Sequence, residues 1–248
     1  MRIYAINLDR SISRWEALSR QATALELPLV RVSGVDGTQV RPESREGCDT
    51  RAFERNSGRA LLAGEYGCYR SHLKALNAFI EAGEHDAVIV EDDIELSADI
   101  LARARAAIDA VPCADLIKLF NHRVVGFRRV ATSKLGDEIG RAAHGPQGSS
   151  ACYVITRTGA ERLADRLRIM EYPVDVALER GWASGAQIYT TRRNVAVPSR
   201  EESTIATRAI YRSVKFPWWK RLGTYTTRLT EALCRIAYAY GGTVNPRK

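Results

Sequence analysis

Asp86-Ala87-Val88-Ile89-Val90-Glu91-Asp92-Asp93 decides how the chain reads. Its near-continuous apolar run is that of a central strand in a parallel sheet covered on both faces. The acidic triplet follows at once. Three consecutive carboxylates repel one another, and at the end of a buried strand they cost stability unless something positive neutralises them. In open α/β sheets ligands collect outside the carboxyl ends of the strands, which is where this spacing puts the triplet. In an extended chain Glu91 and Asp93 point to the same side, so one can hold a metal while the other orders a water or a ribose hydroxyl. Hard oxygen ligands suit Mg²⁺ or Mn²⁺ rather than zinc. The competing reading is a solvated acidic turn opening the next helix.

Outward from this strand, residues 1 to 205 alternate short apolar runs with amphipathic stretches, as when mostly parallel strands are covered by crossover helices. The expected fold class is α/β, a Rossmann-type sheet flanked by helices. Strands are expected at Ile3–Leu8, Leu29–Val32, Asp86–Val90, Leu116–Phe120 and Ala151–Thr156, with weaker candidates at Ile188–Thr190 and Val195–Val197. Ser13 with Glu16, and Thr158 with Glu161, have capping-box spacing, and Ser97 is placed to cap a helix through Ala110. Leu73, Leu76 and Ile80 recur at helical spacing in a helix expected from about Tyr69 to Ala82, introduced by Gly64-Glu65-Tyr66-Gly67. Residues 38 to 63 are polar and weakly periodic and read as a long functional excursion.

The 248 residues suffice for one substantial core, and a hydrophobic share of 45% with 27% charged residues is that of a globular protein. There is no apolar run long enough to span a bilayer, and the amino terminus has no signal-like stretch. Five scattered cysteines without metal-ligand spacing suit a reducing compartment, so a cytoplasmic location is expected. The net charge of +8 is concentrated. Residues 206 to 248 hold nine basic residues against Glu231 alone, so the body is neutral and the tail carries the excess.

Ile6-Asn7-Leu8-Asp9-Arg10 with Arg14, then Gly64-Glu65-Tyr66-Gly67-Cys68-Tyr69-Arg70-Ser71-His72-Leu73, then Ala87 to Asp93 resemble, in order, the signatures of glycosyltransferase family 25. Ser150-Ala151-Cys152-Tyr153-Val154-Ile155 leading into Gly159-Ala160, and Pro173-Val174-Asp175, extend the likeness over about residues 3 to 205. The family includes bacterial lipopolysaccharide and lipooligosaccharide galactosyltransferases. The resemblance implies a GT-A-like fold, a UDP-sugar donor (typically UDP-galactose), a divalent metal and inversion at the anomeric carbon. Tyr66 and Tyr69 are bulkier than the family's usual residues, a departure expected to bear on donor or acceptor choice.

Within that frame Asp93, Glu91 and His122 are the expected metal ligands. Asn7, Arg10, Arg14, Asp36, Ser71, His72, Glu91, Asp92 and Asn121 are the expected donor contacts. Arg10 and Arg14, four apart, are placed to face one side and reach a phosphate or uracil carbonyl; the alternative is a pair of solvated arginines. Asp36 before Gly37 is either a ribose acceptor or a local turn residue. Ser71 and His72 are expected near a helix N-terminus, where exposed N–H groups favour anions. Asn121 and His122 follow a strand at another carboxyl end, and His144 reads as a plain loop histidine. Inverting transfer needs a base opposite the leaving diphosphate, and Asp175 after Tyr172-Pro173-Val174 is the choice, over an N-cap role and over Glu179 and Glu171.

Residues 206 to 248 interleave Tyr211, Phe216, Trp218, Trp219, Tyr225, Tyr238 and Tyr240 with lysine and arginine. That mixture suits a helical extension on an anionic membrane surface, each basic residue contributing about 1 kcal/mol near the headgroups. The expected partners are therefore a UDP-sugar, a lipid-linked saccharide acceptor and the inner face of the cytoplasmic membrane, with no nucleic acid. Two rivals are a metal-dependent phosphohydrolase or nucleotidyltransferase and a nucleic-acid-binding protein. The first lacks a Walker A loop and the second would want charge spread beyond the tail.

Overall fold

A computed structural model describes residues 1–199 and 208–241, Arg208 by its backbone alone. In chain order the elements are β1 (Arg2–Asn7), α1 (Ile12–Ala24), β2 (Leu29–Ser33), α2 (Thr50–Ser57), α3 (Ala63–Glu81), β3 (Asp86–Glu91), β4 (Ile94–Glu95), α4 (Ile100–Ala110) and β5 (Leu116–Lys118). There follow β6 (Val125–Thr132), β7 (Glu138–His144), β8 (Cys152–Thr156), α5 (Arg157–Arg166), α6 (Val174–Glu179), α7 (Gly181–Ser184), β9 (Ile188–Thr191), β10 (Val197–Pro198), α8 (Arg208–Ser213) and α9 (Leu222–Tyr240). Eight strands form one sheet in the order β2-β1-β3-β8-β5-β9-β7-β6, and β4 pairs separately with β10. β1 runs parallel to β2 and β3, and β5 parallel to β9; β8 and β7 oppose their neighbours. The sheet is therefore mostly parallel in strand direction, flanked by helices.

Strand alternation sorts the core into two layers. Ile3, Ala5, Val88, Val90, Ile117 and Val154 face Leu18 and Ala22 of α1 and Ile100, Ala104 and Ala107 of α4. Tyr4, Ala87, Ile89, Tyr153 and Ile155 face Leu76 and Phe79 of α3 and Ala160 and Leu163 of α5. All residues of β3 from Asp86 to Val90 are buried, as its apolar run requires.

Several local boundaries differ from expectation. Ser13 and Glu16 make no capping box, because α1 starts at Ile12 and Ser13 already lies inside its first turn. The cap of α5 is Thr156, whose hydroxyl accepts from Gly159 N at 3.2 Å, two residues before Thr158. Ser97 does not cap α4; its hydroxyl donates to Asp99, the residue ahead of Ile100. Residues 38 to 63 are not one excursion: Asp49 caps α2 by accepting from Ala52 N, and Gly58 in the left-handed region ends it. Helix α3 begins at Ala63, so the Gly64–Gly67 motif lies within its first turns. Val195 and Ala196 bond to Leu119 O, and only Val197–Pro198 pair as strand, with β4. The hairpin β6–β7 spans a segment that has no expected strand.

The C-terminal segment packs on the body. Arg235 of α9 reaches Glu179 at 2.7 Å, Arg180 pairs with Glu231 at 2.9 Å, and Tyr238 OH donates to Ala186 O at 2.8 Å. Ala206, Thr207 and residues 242–248, including Arg247 and Lys248 of the basic tail, lie outside the described residues.

Candidate functional site

The carboxyl ends of β1 and β3 and the start of the antiparallel β8 meet at one edge of the sheet. Glu91 is the last residue of β3, and Ser150, two residues ahead of β8, donates to its Oε1 at 2.6 Å. His72 Nε2 lies 3.3 Å from the same oxygen, and its Nδ1 lies 3.0 Å from Tyr153 OH. Because a carboxylate only accepts, Nε2 is the donor to Glu91. Burial alone would raise the Glu91 pKa; His72 and Ser150 outweigh it and hold the carboxyl below its ordinary value.

His72 and Ser71 sit in the middle of α3, not at its N-terminus, so free helix N–H groups do not explain their placement. A close approach does. A Cβ on Gly67 would come within 2.4 Å of Val35 O, and one on Gly37 within 1.9 Å of Ala63 O, so both positions demand glycine. Ser71 then accepts from Val35 N at 2.7 Å and donates to Gly67 O at 2.7 Å. Tyr66 and Tyr69 turn the other way into the core, donating to Glu46 O and Ile169 O. Neither lines the cavities beside Glu91, which removes the reason to link their bulk to sugar choice.

Two cavities flank Glu91, and Cys68 is common to both walls. The first is lined by Arg10, Asp36, Gly37, Ser71, His72 and Asp92 among others. Arg10 pairs with Asp36 at 2.9 Å across its rim, and Asp36 also accepts from Thr38 N and Oγ1, which with burial opposing leaves its pKa lowered. The second, of about 300 Å³, is lined by Glu65, Asp93, His122, Ser150, Asp175 and Tyr211, with Glu91 and Cys68 again. The predicted base and all three predicted metal ligands, Glu91, Asp93 and His122, thus face one space.

Four predicted donor contacts are instead committed to the fold. Asp92 accepts from Asn7 Nδ2 at 2.7 Å and Arg14 Nη1 at 3.2 Å. Asn7 Oδ1 in turn accepts from Arg31 at 2.6 and 3.0 Å. Arg14 is buried at 8% exposure, so it does not share a face with Arg10, which lies in the turn before α1. Asn121, 3% exposed, donates to Thr190 Oγ1 at 2.7 Å and lines neither cavity.

Asp93 is the opposite case. Its Oδ1 is buried with no hydrogen-bond partner among the described residues. Burial, with Glu91 and Asp92 adding like charge, pushes its carboxyl up to about 6. An orphaned acidic oxygen beside a second carboxylate fits a hard divalent cation. Cys68, His72 and Glu91 also bring one ligand atom each within 4.8 Å of one another. This second set suits a hard cation poorly: the thiol is soft and burial holds its pKa well above the ordinary value, and His72 is engaged by Tyr153. His122 is near enough for its charge to lower the Glu91 pKa.

Asp175 lies in the first turn of α6 behind Pro173, so it is not the N-cap. Burial first, then the nearby Glu179, raises its pKa. Glu179 serves structure: it is buried, pairs with Lys118 at 2.8 Å and Arg235 at 2.7 Å, and accepts from Gln147 N and Gly148 N. Glu171 is exposed and lines a different cavity. Cys68, Ser150 and Tyr153 complete the site without having been singled out from sequence. All three sit inside segments of the family resemblance, which was the available signal.

The description "Glycosyltransferase family 25 (LPS biosynthesis protein)" matches residues 1–178, and the chain belongs to this family. Over 96 residues, 37% of the chain, it is 28% identical to procollagen galactosyltransferase 1 of Danio rerio and spans 16% of that relative's length. Among solved structures it is similar to A197 from STIV, with 10% identity, coverage of 84% of this chain and 100% of that one, and a TM-score of 0.39, too remote to inform the fold. Among the described residues no helix is long and apolar enough to cross a membrane.

Proposed function

We propose that the protein is an inverting transferase that moves galactose from UDP-galactose to a saccharide acceptor. What carries this reading is the pair of cavities joined at Glu91 and Cys68, one with Arg10, Asp36 and Ser71 and the other with Asp93 and Asp175. The first has hydrogen-bonding groups for a nucleotide, and the second holds the acids that a transfer needs. Asp93 and Glu91, with His122 beside them, would hold Mn²⁺ or Mg²⁺, which supplies charge stabilisation for the departing diphosphate. Asp175 takes the proton from the acceptor hydroxyl as that oxygen bonds to the anomeric carbon and the bond to the diphosphate oxygen breaks, its electron pair leaving with UDP. Its raised pKa makes it a better proton acceptor than an ordinary aspartate once ionised.

The acceptor is lipid-linked in this proposal, presented at the cytoplasmic face of an anionic membrane. Leu222, Tyr225, Leu229 and Leu233 recur at helical spacing and are all exposed on α9, next to exposed Trp218 and Trp219. Lys220 and Arg221 accompany them. Apolar side chains entering the headgroup layer with basic residues beside them is the arrangement of an interfacial helix.

The test is UDP release from UDP-galactose and UDP-glucose across a metal series. Mn²⁺-stimulated release with UDP-galactose that disappears in Asp93→Ala is expected; turnover unchanged in Asp93→Ala would sink the metal assignment, and preference for UDP-glucose would replace the donor.

A further inference from the structure

A third cavity, of about 510 Å³, lies on the other side of Pro173 from the Asp93–Asp175 space, and Pro173 lines both. Its walls come from α2, the loops around Arg123 and Pro146, Tyr172, and the inner face of α9. Four arginines line it against one acid: Arg59, Arg123, Arg228 and Arg235 against Glu231. Their charges are not equally available. Arg59 is held bidentate by Glu65, Arg235 donates through Nη1 to Glu179, and Glu231 is taken by Arg180. Arg123 donates Nε to Pro146 O at 2.9 Å and Arg228 donates Nη2 to Ser57 O at 3.2 Å. Both partners are neutral carbonyls, and among the described residues neither arginine meets a carboxylate within ion-pair distance. Two uncompensated guanidinium groups from separate walls therefore share this space with the ring of Tyr172.

From this we infer that the cavity is the acceptor subsite and that it takes a saccharide bearing an acidic group, phosphate or carboxylate, which Arg123 and Arg228 bind while the sugar rests against Tyr172. Guanidinium groups favour such anions through paired N–H donors. The inference rests on the reading of the neighbouring space as the transfer site, since the shared Pro173 wall is what lets one acceptor occupy both. It also gives α9 a double use: positions 228, 231 and 235 face the cavity, and the exposed stripe at 222, 225, 229 and 233 faces away from it.

Calorimetric titration of the full chain with glucose 6-phosphate, glucose and inorganic phosphate tests this. Glucose 6-phosphate should bind at least about tenfold tighter than either fragment, a difference of about 1.4 kcal/mol. The Arg123→Ala/Arg228→Ala double variant, altered only at exposed side chains, should lose that preference, and Arg228→Lys alone should keep part of it. Prior saturation with UDP and Mn²⁺ should leave the titration unchanged. Equal affinity for glucose 6-phosphate and free phosphate would reduce the cavity to a general anion site and overturn the inference. So would competition by UDP, or an unaltered preference in the double variant. Failure of the transfer reading would show separately, as no UDP release from any UDP-sugar with this titration intact.

Discussion

Asp92 and Asp93 are neighbours in sequence and opposites in circumstance, and the same contrast recurs in Glu179 and Asp175 one helical turn apart. Asp92 is spent on Asn7 and Arg14, and Glu179 on Lys118, Arg235 and two backbone N–H groups. Asp92 lines the first cavity and burial raises its pKa too, yet both its oxygens are taken. Asp93 and Asp175 face the second cavity with raised pKa, and Asp93 keeps an orphaned oxygen. A buried acid that is fully paired holds the fold together; one left short of partners costs stability and is available for chemistry. The difference separates a structural wall from a working one.

The largest expected effect breaks the comparison at α6. Asp175→Asn should cut sugar transfer by about 10²–10⁴-fold with UDP affinity retained, the scale for removing a positioned base; loss of UDP affinity instead would make Asp175 a donor ligand. Glu179→Gln should do the reverse. It leaves Lys118 and Arg235 without a counter-charge and should lower stability by about 3–5 kcal/mol in chemical denaturation. A well-folded Glu179→Gln protein lacking transfer would interchange the two roles.

A smaller effect concerns pH. The Asp93 pKa is raised in the fold to about 6, so its ionised form is disfavoured there. Lowering pH through about 6 protonates it, which relieves that cost while removing the metal ligand. Metal-dependent turnover should therefore fall on the acid side of about pH 6, and Asp93→Asn should be slightly more stable than the native chain above that pH. A rate that is flat from pH 5 to 8 would contradict this. Smallest is the membrane effect: Leu229→Asp/Leu233→Asp, both changes at exposed positions, should weaken binding to anionic vesicles by about tenfold without altering UDP release. Deleting residues 206–248 would not isolate this effect, because it would strip Glu179 of Arg235.

What was legible in the sequence was local. The apolar run of β3 and the helical spacing of Leu73, Leu76 and Ile80 placed β3 and α3, because a buried strand and a helix face each impose their period on adjacent residues. The acidic triplet is read from the end of that same strand, and Asp175 from its place behind Pro173 in a segment of the family resemblance; the roles of both belong to the proposal. Long-range pairing was not legible. Nothing near Asp92 shows that Asn7 and Arg14, 85 and 78 residues away, will consume it. Nothing near Glu179 announces Lys118 and Arg235 at separations of 61 and 56. The reversed direction of β8 likewise depends on what it lies between, since its buried run would serve either direction. The β6–β7 hairpin escaped because β6 is largely exposed and carries no apolar alternation.

The most direct test of the contrast is Mn²⁺ binding in the presence of UDP, followed by electron paramagnetic resonance for the native chain, Asp93→Asn and Asp92→Asn. The account predicts that Asp93→Asn weakens Mn²⁺ binding by at least about tenfold while a folded Asp92→Asn chain stays within a few-fold of native, ligand loss outweighing loss of a supporting contact. Native affinity in Asp93→Asn, or a collapse of affinity confined to Asp92→Asn, would contradict it.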